Sequence, residues 1–121
     1  MQLRNNLYTV AGSDGAGRFD LALNPECFIY KAHFPGEPIT PGVCIVATAV
    51  ELLEDFLGGR SLEIARVKNV KFLSVVSPKQ SLDVTFQIKK IEEAGGEVSA
   101  QFVVTSADEA KAKLSITCKS R

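Results

Sequence analysis

The chain has 121 residues, 45% of them hydrophobic, and its 14 basic and 14 acidic side chains cancel to a formal net charge of zero. That length suits one domain built on a single substantial core, expected to span residues 1–121. The neutral balance argues against non-specific nucleic-acid binding, and no apolar run reaches the ~20 residues of a membrane-spanning helix.

The opening MQLRNNLYTV has no long apolar core followed by a small-residue cleavage site, so no signal peptide is expected. Cys27, Cys44 and Cys118 are too far apart, and odd in number, for a metal knuckle or a disulfide framework. Their usage favours a reducing compartment, and a cytoplasmic location is the expectation. Residues 7–13 read as a first strand, and the cluster Ser13-Asp14-Gly15-Ala16-Gly17 turns the chain into a second at 18–23. Asn24-Pro25 breaks that strand, and residues 27–30 form a short apolar approach that brings Tyr30 close to the chain's single histidine.

That histidine opens the segment HFPGEPITPG, residues 33–42, which also holds three prolines and two glycines. Prolines this dense disfavour regular helix or central strand, so the segment is expected to be a stiff loop. Thr40 is a candidate N-cap and Pro41 a candidate first helical residue, which leads directly into a helix over 41–57. Gly58-Gly59 supplies its end. Between Val43 and Leu53 nine of eleven residues are apolar, so the helix should be buried on nearly all sides. Thr48 and Glu51 are the exceptions, sharing a face with Cys44, Ala47 and Asp55. Either this stripe faces a cavity or seam, or Glu51 marks the point where the helix emerges into solvent. Cys44 sits in the first turn, where thiols can be acidified, but its apolar neighbours favour a small buried hydrophobe.

The remainder reads as sheet. A run over 62–76 is broken by Ser77-Pro78. Leu82, Val84, Phe86 and Ile88 alternate with polar residues, and Gly95-Gly96 makes a hairpin into Val98, Ala100, Phe102 and Val104. Asp108-Glu109 turns into Ala112, Leu114, Ile116 and Cys118, set against Lys111, Lys113, Ser115, Thr117 and Lys119. Three such strands make an antiparallel meander with one packed and one wet face. Two strands, one buried helix and four strands give an α+β order.

A lone histidine held by rigid turns is a candidate general base, since its ordinary pKa lies near neutrality. The plainer alternative is a surface histidine beside a proline-rich turn; the prolines, glycines and helix start around His33 favour the first. The free amide of Gly42 at the helix start is a candidate donor to a thioester carbonyl oxygen. HFPGEPITPGV resembles the signature of the 3-hydroxyacyl-acyl-carrier-protein dehydratases, which have the hot-dog fold, an antiparallel sheet wrapped around a central helix. The resemblance implies His33 as base and the Gly42 amide as carbonyl-binding donor. It places Tyr30, Phe34, Pro41, Val43, Ile45 and Ala47 along the substrate path. It also implies a carboxylate fourteen residues after the histidine, given by the other protomer, and there this chain has Ala47. Glu51, one turn on, is the candidate substitute acid, because helical side chains lean toward the amino end.

The function expected from the resemblance is a dehydratase-like lyase of fatty-acid or related acyl-chain biosynthesis. Its substrates would be thioesters carried on the phosphopantetheine of an acyl carrier protein, with no cofactor or metal of its own. Two alternatives stand beside it: a hot-dog acyl thioesterase using Glu51, and a non-catalytic or half-catalytic subunit paired with an intact dehydratase. The expected assembly is a homodimer, a heterodimer with a related hot-dog subunit, or a higher oligomer. Carrier proteins of this class are usually acidic, which makes Arg60, Arg66, Lys68, Lys71 and Lys79 candidate docking residues.

Overall fold

Turn chemistry and alternation account for most of the sheet. The computed structural model describes residues 2–32 and 36–121. Strands β1 (Tyr8–Ser13) and β2 (Arg18–Leu23) are joined by a turn closed on Asp14, whose Oδ1 accepts the amides of Ala16 at 2.8 Å and Arg18 at 3.0 Å. A short helix α1 (Phe28–Ala32) comes next, and then the long helix α2 (Gly42–Phe56). Strands β3 (Leu62–Phe72), β4 (Asp83–Ala94), β5 (Glu97–Ser106) and β6 (Glu109–Ser120) complete the chain. All pair antiparallel in one six-stranded sheet of order β1-β2-β4-β5-β6-β3. Ile45, Ala49, Leu52 and Leu53 of α2 share a single buried cluster with Val98, Phe102 and Ile116 of the sheet. The result is an α+β hot-dog fold.

Both ends of α2 arise from local chemistry, though only one as expected. Gly58 (φ 79°) and Gly59 (φ 91°) take the left-handed conformation, and their amides return to Asp55 O and Glu54 O at 3.0 and 2.8 Å. Glycine has no Cβ penalty there, so the helix stops at the expected place. At the other end Pro41 occupies the N-cap position, Gly42 is the first helical residue, and no side chain caps it. Thr40, expected as the cap, instead pairs its hydroxyl with the Tyr30 hydroxyl at 2.8 Å in a buried contact.

Three details of the sheet differ from simple alternation. Leu82 is 45% exposed and precedes β4, so that strand's buried face begins at Val84. The β5–β6 turn sits on Ala107 and Asp108, both at positive φ, one residue earlier than Asp108-Glu109. Thr117 and Lys111, expected on the wet face of β6, are buried. The Thr117 hydroxyl is satisfied by Ser99 at 2.8 Å across the strands. Lys111 is turned by a bulge: β5 pairs Val104 with Ala112 and Thr105 with Ala110, leaving Lys111 as the extra residue. Bulges re-aim side chains, and this one sends Lys111 inward.

Among the described residues β3 is an edge strand, paired only with β6. Along it Ile64, Val67 and Phe72 are exposed.

Candidate functional site

The open start of α2 faces a cleft of about 350 Å³ lined by Pro41, Gly42 and Ile45 on one side and Phe72 to Val76 on the other. Among the described residues the amides of Gly42 and Val43 find no acceptor, while those of Cys44 and Ile45 both return to Pro41 O, at 2.9 and 3.2 Å. Unpaired amides at the start of a helix combine with its dipole to favour a developing negative charge. Gly42 is required by contact rather than by dihedral. A Cβ there would lie 2.7 Å from Cζ of Phe72, so the ring rests directly on the glycine. Nothing in the sequence pattern singles out Phe72 beyond its place at the end of an apolar run.

Behind this cleft stands Tyr30, which does not line it. Its hydroxyl holds Thr40, and Thr40 N donates to Val76 O at 2.8 Å, so Tyr30 positions the approach to the helix. Burial pushes the Tyr30 phenol up, which keeps it protonated near neutrality. Val43 is 75% exposed and points away from the cleft in the protomer, whereas Ile45 is buried at its floor. Half-exposed Val46, Ala47 and Val50 continue an apolar strip along α2. The helix is therefore less enclosed within one protomer than its composition implies. Burial, and then Cys27, pushes the Cys44 thiol up, the reverse of acidification. His33 and Phe34 lie outside the described residues.

Ala47 and Glu51 open onto a second cleft, of about 640 Å³, which they share with Arg4, Val50, Asp55 and the start of β3. Of the stripe on α2, Ala47, Glu51 and Asp55 face this cleft, whereas Thr48 is buried in the core. Glu51, however, is engaged there by three donors. Its Oε2 accepts the Leu3 amide at 2.8 Å, and its Oε1 accepts the Arg4 amide and the Tyr8 hydroxyl, both at 2.9 Å. Burial first, and then the Glu51 charge, pushes the Tyr8 phenol up, so it remains a donor. Arg4 pairs with Asp55 alongside. In the protomer Glu51, the candidate substitute acid, anchors the amino-terminal turn. The three donors take three of the roughly four acceptor sites of its carboxylate.

Of the candidate docking residues, Arg60 pairs with Glu93 at 2.5 Å and Arg66 with Glu97 at 2.7 Å. Lys79 donates to Gly36 O at 3.3 Å. Lys68 and Lys71 form no ion pair among the described residues.

Comparison with known proteins agrees with this architecture. A family model for ApeI-like proteins, described as ApeI dehydratase, matches residues 10–115. A 3-hydroxyacyl-[acyl-carrier-protein] dehydratase, FabZ, of Ligilactobacillus salivarius is 33% identical over 89 residues, 68% of this chain and 61% of its own length. The match therefore spans under two thirds of that relative. Among solved structures, the dehydratase heterocomplex ApeI:P from Xenorhabdus doucetiae superposes with a TM-score of 0.63 at 18% identity, covering 91% of this chain and 93% of its own. A homologue of HP0420 from Helicobacter felis reaches 0.68 at 13% identity, covering 100% and 93%. At these identities the two structures establish the fold alone.

Proposed function

The chain belongs to the ApeI-like dehydratase family, and from that premise we propose that it is a dehydratase-like subunit acting on 3-hydroxyacyl thioesters of a carrier protein, with the acid of its site supplied by a partner chain. The observation that carries the reading is the open start of α2, where Gly42, whose amide has no acceptor among the described residues, lines a cleft. Removing a proton beside a thioester builds negative charge on the carbonyl oxygen, and the Gly42 amide at the positive end of a fifteen-residue helix is suited to hold it. His33, in the segment that resembles the dehydratase signature, takes the proton. Loss of the neighbouring hydroxyl as water needs a proton donor, and Ala47 has none. Glu51 is occupied by the amino-terminal turn.

A partner related to this chain but with a carboxylate in the place of Ala47 completes that chemistry. The exposed β3 edge, with Ile64 and Val67 uncovered, suits strand-to-strand pairing with a second hot-dog chain, which removes an aggregation-prone edge. The heterocomplex from Xenorhabdus doucetiae, similar in fold, supports assembly from two different chains. In such a pair one site would join His33 and Gly42 of this chain to the partner's acid.

The test is an assay of the purified chain with hydroxyacyl- and enoyl-carrier-protein thioesters, alone and with an acid-bearing ApeI-like relative. Interconversion of the two thioesters only in the mixture is the expected result. Release of free acid instead would make the chain a thioesterase. No reaction in a mixture that forms heterodimers would leave it a non-catalytic subunit.

A further inference from the structure

We infer that Lys111 is a positioning residue for the acyl-thioester cleft, tethering the wall that faces Gly42. Lysine is almost never fully buried without partners, yet Lys111 is only 1% exposed. Its ammonium has three N–H donors and meets three acceptors: Glu109 Oε1 at 2.5 Å, Gln80 Oε1 at 2.9 Å and Ser74 Oγ at 3.4 Å. The Lys111 carbonyl meanwhile accepts the amides of Leu73 at 2.9 Å and Ser74 at 3.3 Å. Ser74 Oγ closes the network by donating to Glu109 at 3.2 Å, and Lys111 with Ser74 holds the Glu109 carboxyl below its ordinary range.

The consequence lies in what these partners belong to. Residues 73–82 join β3 to β4 without regular pairing, and Leu73 to Val76 form the cleft wall opposite Pro41, Gly42 and Ile45. That wall is fixed at two points. Val76 O receives the Thr40 amide at one end, and Lys111 gathers Leu73, Ser74 and Gln80 at the other. Phe72, whose ring rests on Gly42, immediately precedes the tethered residues. An irregular segment has no ladder to set its position, so a buried charge with three directed bonds sets it instead. The bulge at Lys111 has this purpose, since without it the side chain would point to the wet face. The inference rests on the reading of this cleft as a thioester site.

Lys111→Met removes the charge at similar volume, and the probe is a 3-hydroxyacyl-pantetheine amide, which binds without turnover. Calorimetric Kd should rise roughly tenfold, short of the hundredfold that a ~1 Å misplacement can cost. Amide exchange at Leu73 and Ser74 should accelerate while exchange in β4 and β5 stays unchanged. Gln80→Leu, which removes one acceptor from the surface side, should move both in the same direction by roughly threefold, and it carries the test if Lys111→Met does not fold. A folded variant with unchanged Kd and unchanged exchange at Leu73 and Ser74 overturns the inference while leaving the cleft's role intact. A wild-type chain that does not bind the probe overturns the reading of the cleft, and this inference with it.

Discussion

The two halves of α2 use the same helix in opposite ways. At the amino end Gly42, whose amide has no acceptor among the described residues, lines a cleft, and the Thr40 hydroxyl, expected as the cap, is bonded to Tyr30. Further along, Glu51 is engaged by three donors: the Leu3 and Arg4 amides and the Tyr8 hydroxyl bond its two oxygens. On the proposed reading of a site shared between two chains, the open backbone donor in one half is the part this chain supplies, while the carboxylate in the other serves the amino terminus.

The largest effect should come from restoring the missing group. Ala47 lines a cleft of about 640 Å³, so a longer side chain has room. Ala47→Glu is expected to give the chain alone a dehydration rate about 10²–10⁴-fold above the wild-type background, the range of a positioned general acid, in a steady-state assay with a hydroxyacyl thioester. No gain from a folded variant would mean that the donor half is also incompetent.

Glu51→Ala tests the scaffold half. It strands two amides and a hydroxyl, and should lower unfolding free energy by about 3 kcal/mol, read from denaturant midpoints at constant slope. Turnover in the mixed dimer should remain within roughly threefold, a change that needs under ~1 kcal/mol of barrier. A collapse of turnover with stability intact would return Glu51 to the chemistry. Val67→Lys on the exposed β3 edge should weaken the proposed dimer roughly tenfold in sedimentation, about 1.4 kcal/mol, without unfolding the protomer. An unchanged dimer would place the interface elsewhere.

A smaller effect is expected from pH. The Glu109 carboxyl is held below its ordinary value by Lys111 first and then Ser74. Its contribution is therefore complete above the ordinary carboxylate value and is lost as pH falls through the lower folded one. Exchange at Leu73 and Ser74 should stay slow until pH drops below the ordinary carboxylate range and quicken beneath it, whereas Glu109→Gln should abolish that step.

Some of this is legible in the sequence, for physical reasons that also limit it. Gly58-Gly59 and Gly95-Gly96 announce their turns because only glycine takes those dihedrals freely, and the alternation from Val98 to Val104 places β5 correctly. Such signals are local. The engagement of Glu51 is not, since its partner amide at Leu3 is 48 residues away in sequence. Lys111 is hidden for a different reason: alternation assigns it to solvent, and only the register shift opposite Val104 and Thr105 reverses it. Thr40 has the residue type of a cap, but a buried tyrosine hydroxyl competes for the same oxygen. The candidate site is legible as a motif around Gly42, while the roles of Phe72, Tyr8 and Lys111 emerge only from the tertiary structure.

The most direct test is a complementation of halves. An ApeI-like relative that keeps its helix carboxylate but has lost its histidine is co-purified with this chain and assayed for dehydration. Activity in the mixed dimer, none in either chain alone, and its disappearance with His33→Ala in this chain are the predicted results. A mixed dimer that forms but stays inactive, or activity indifferent to His33→Ala, would contradict a site shared between two chains.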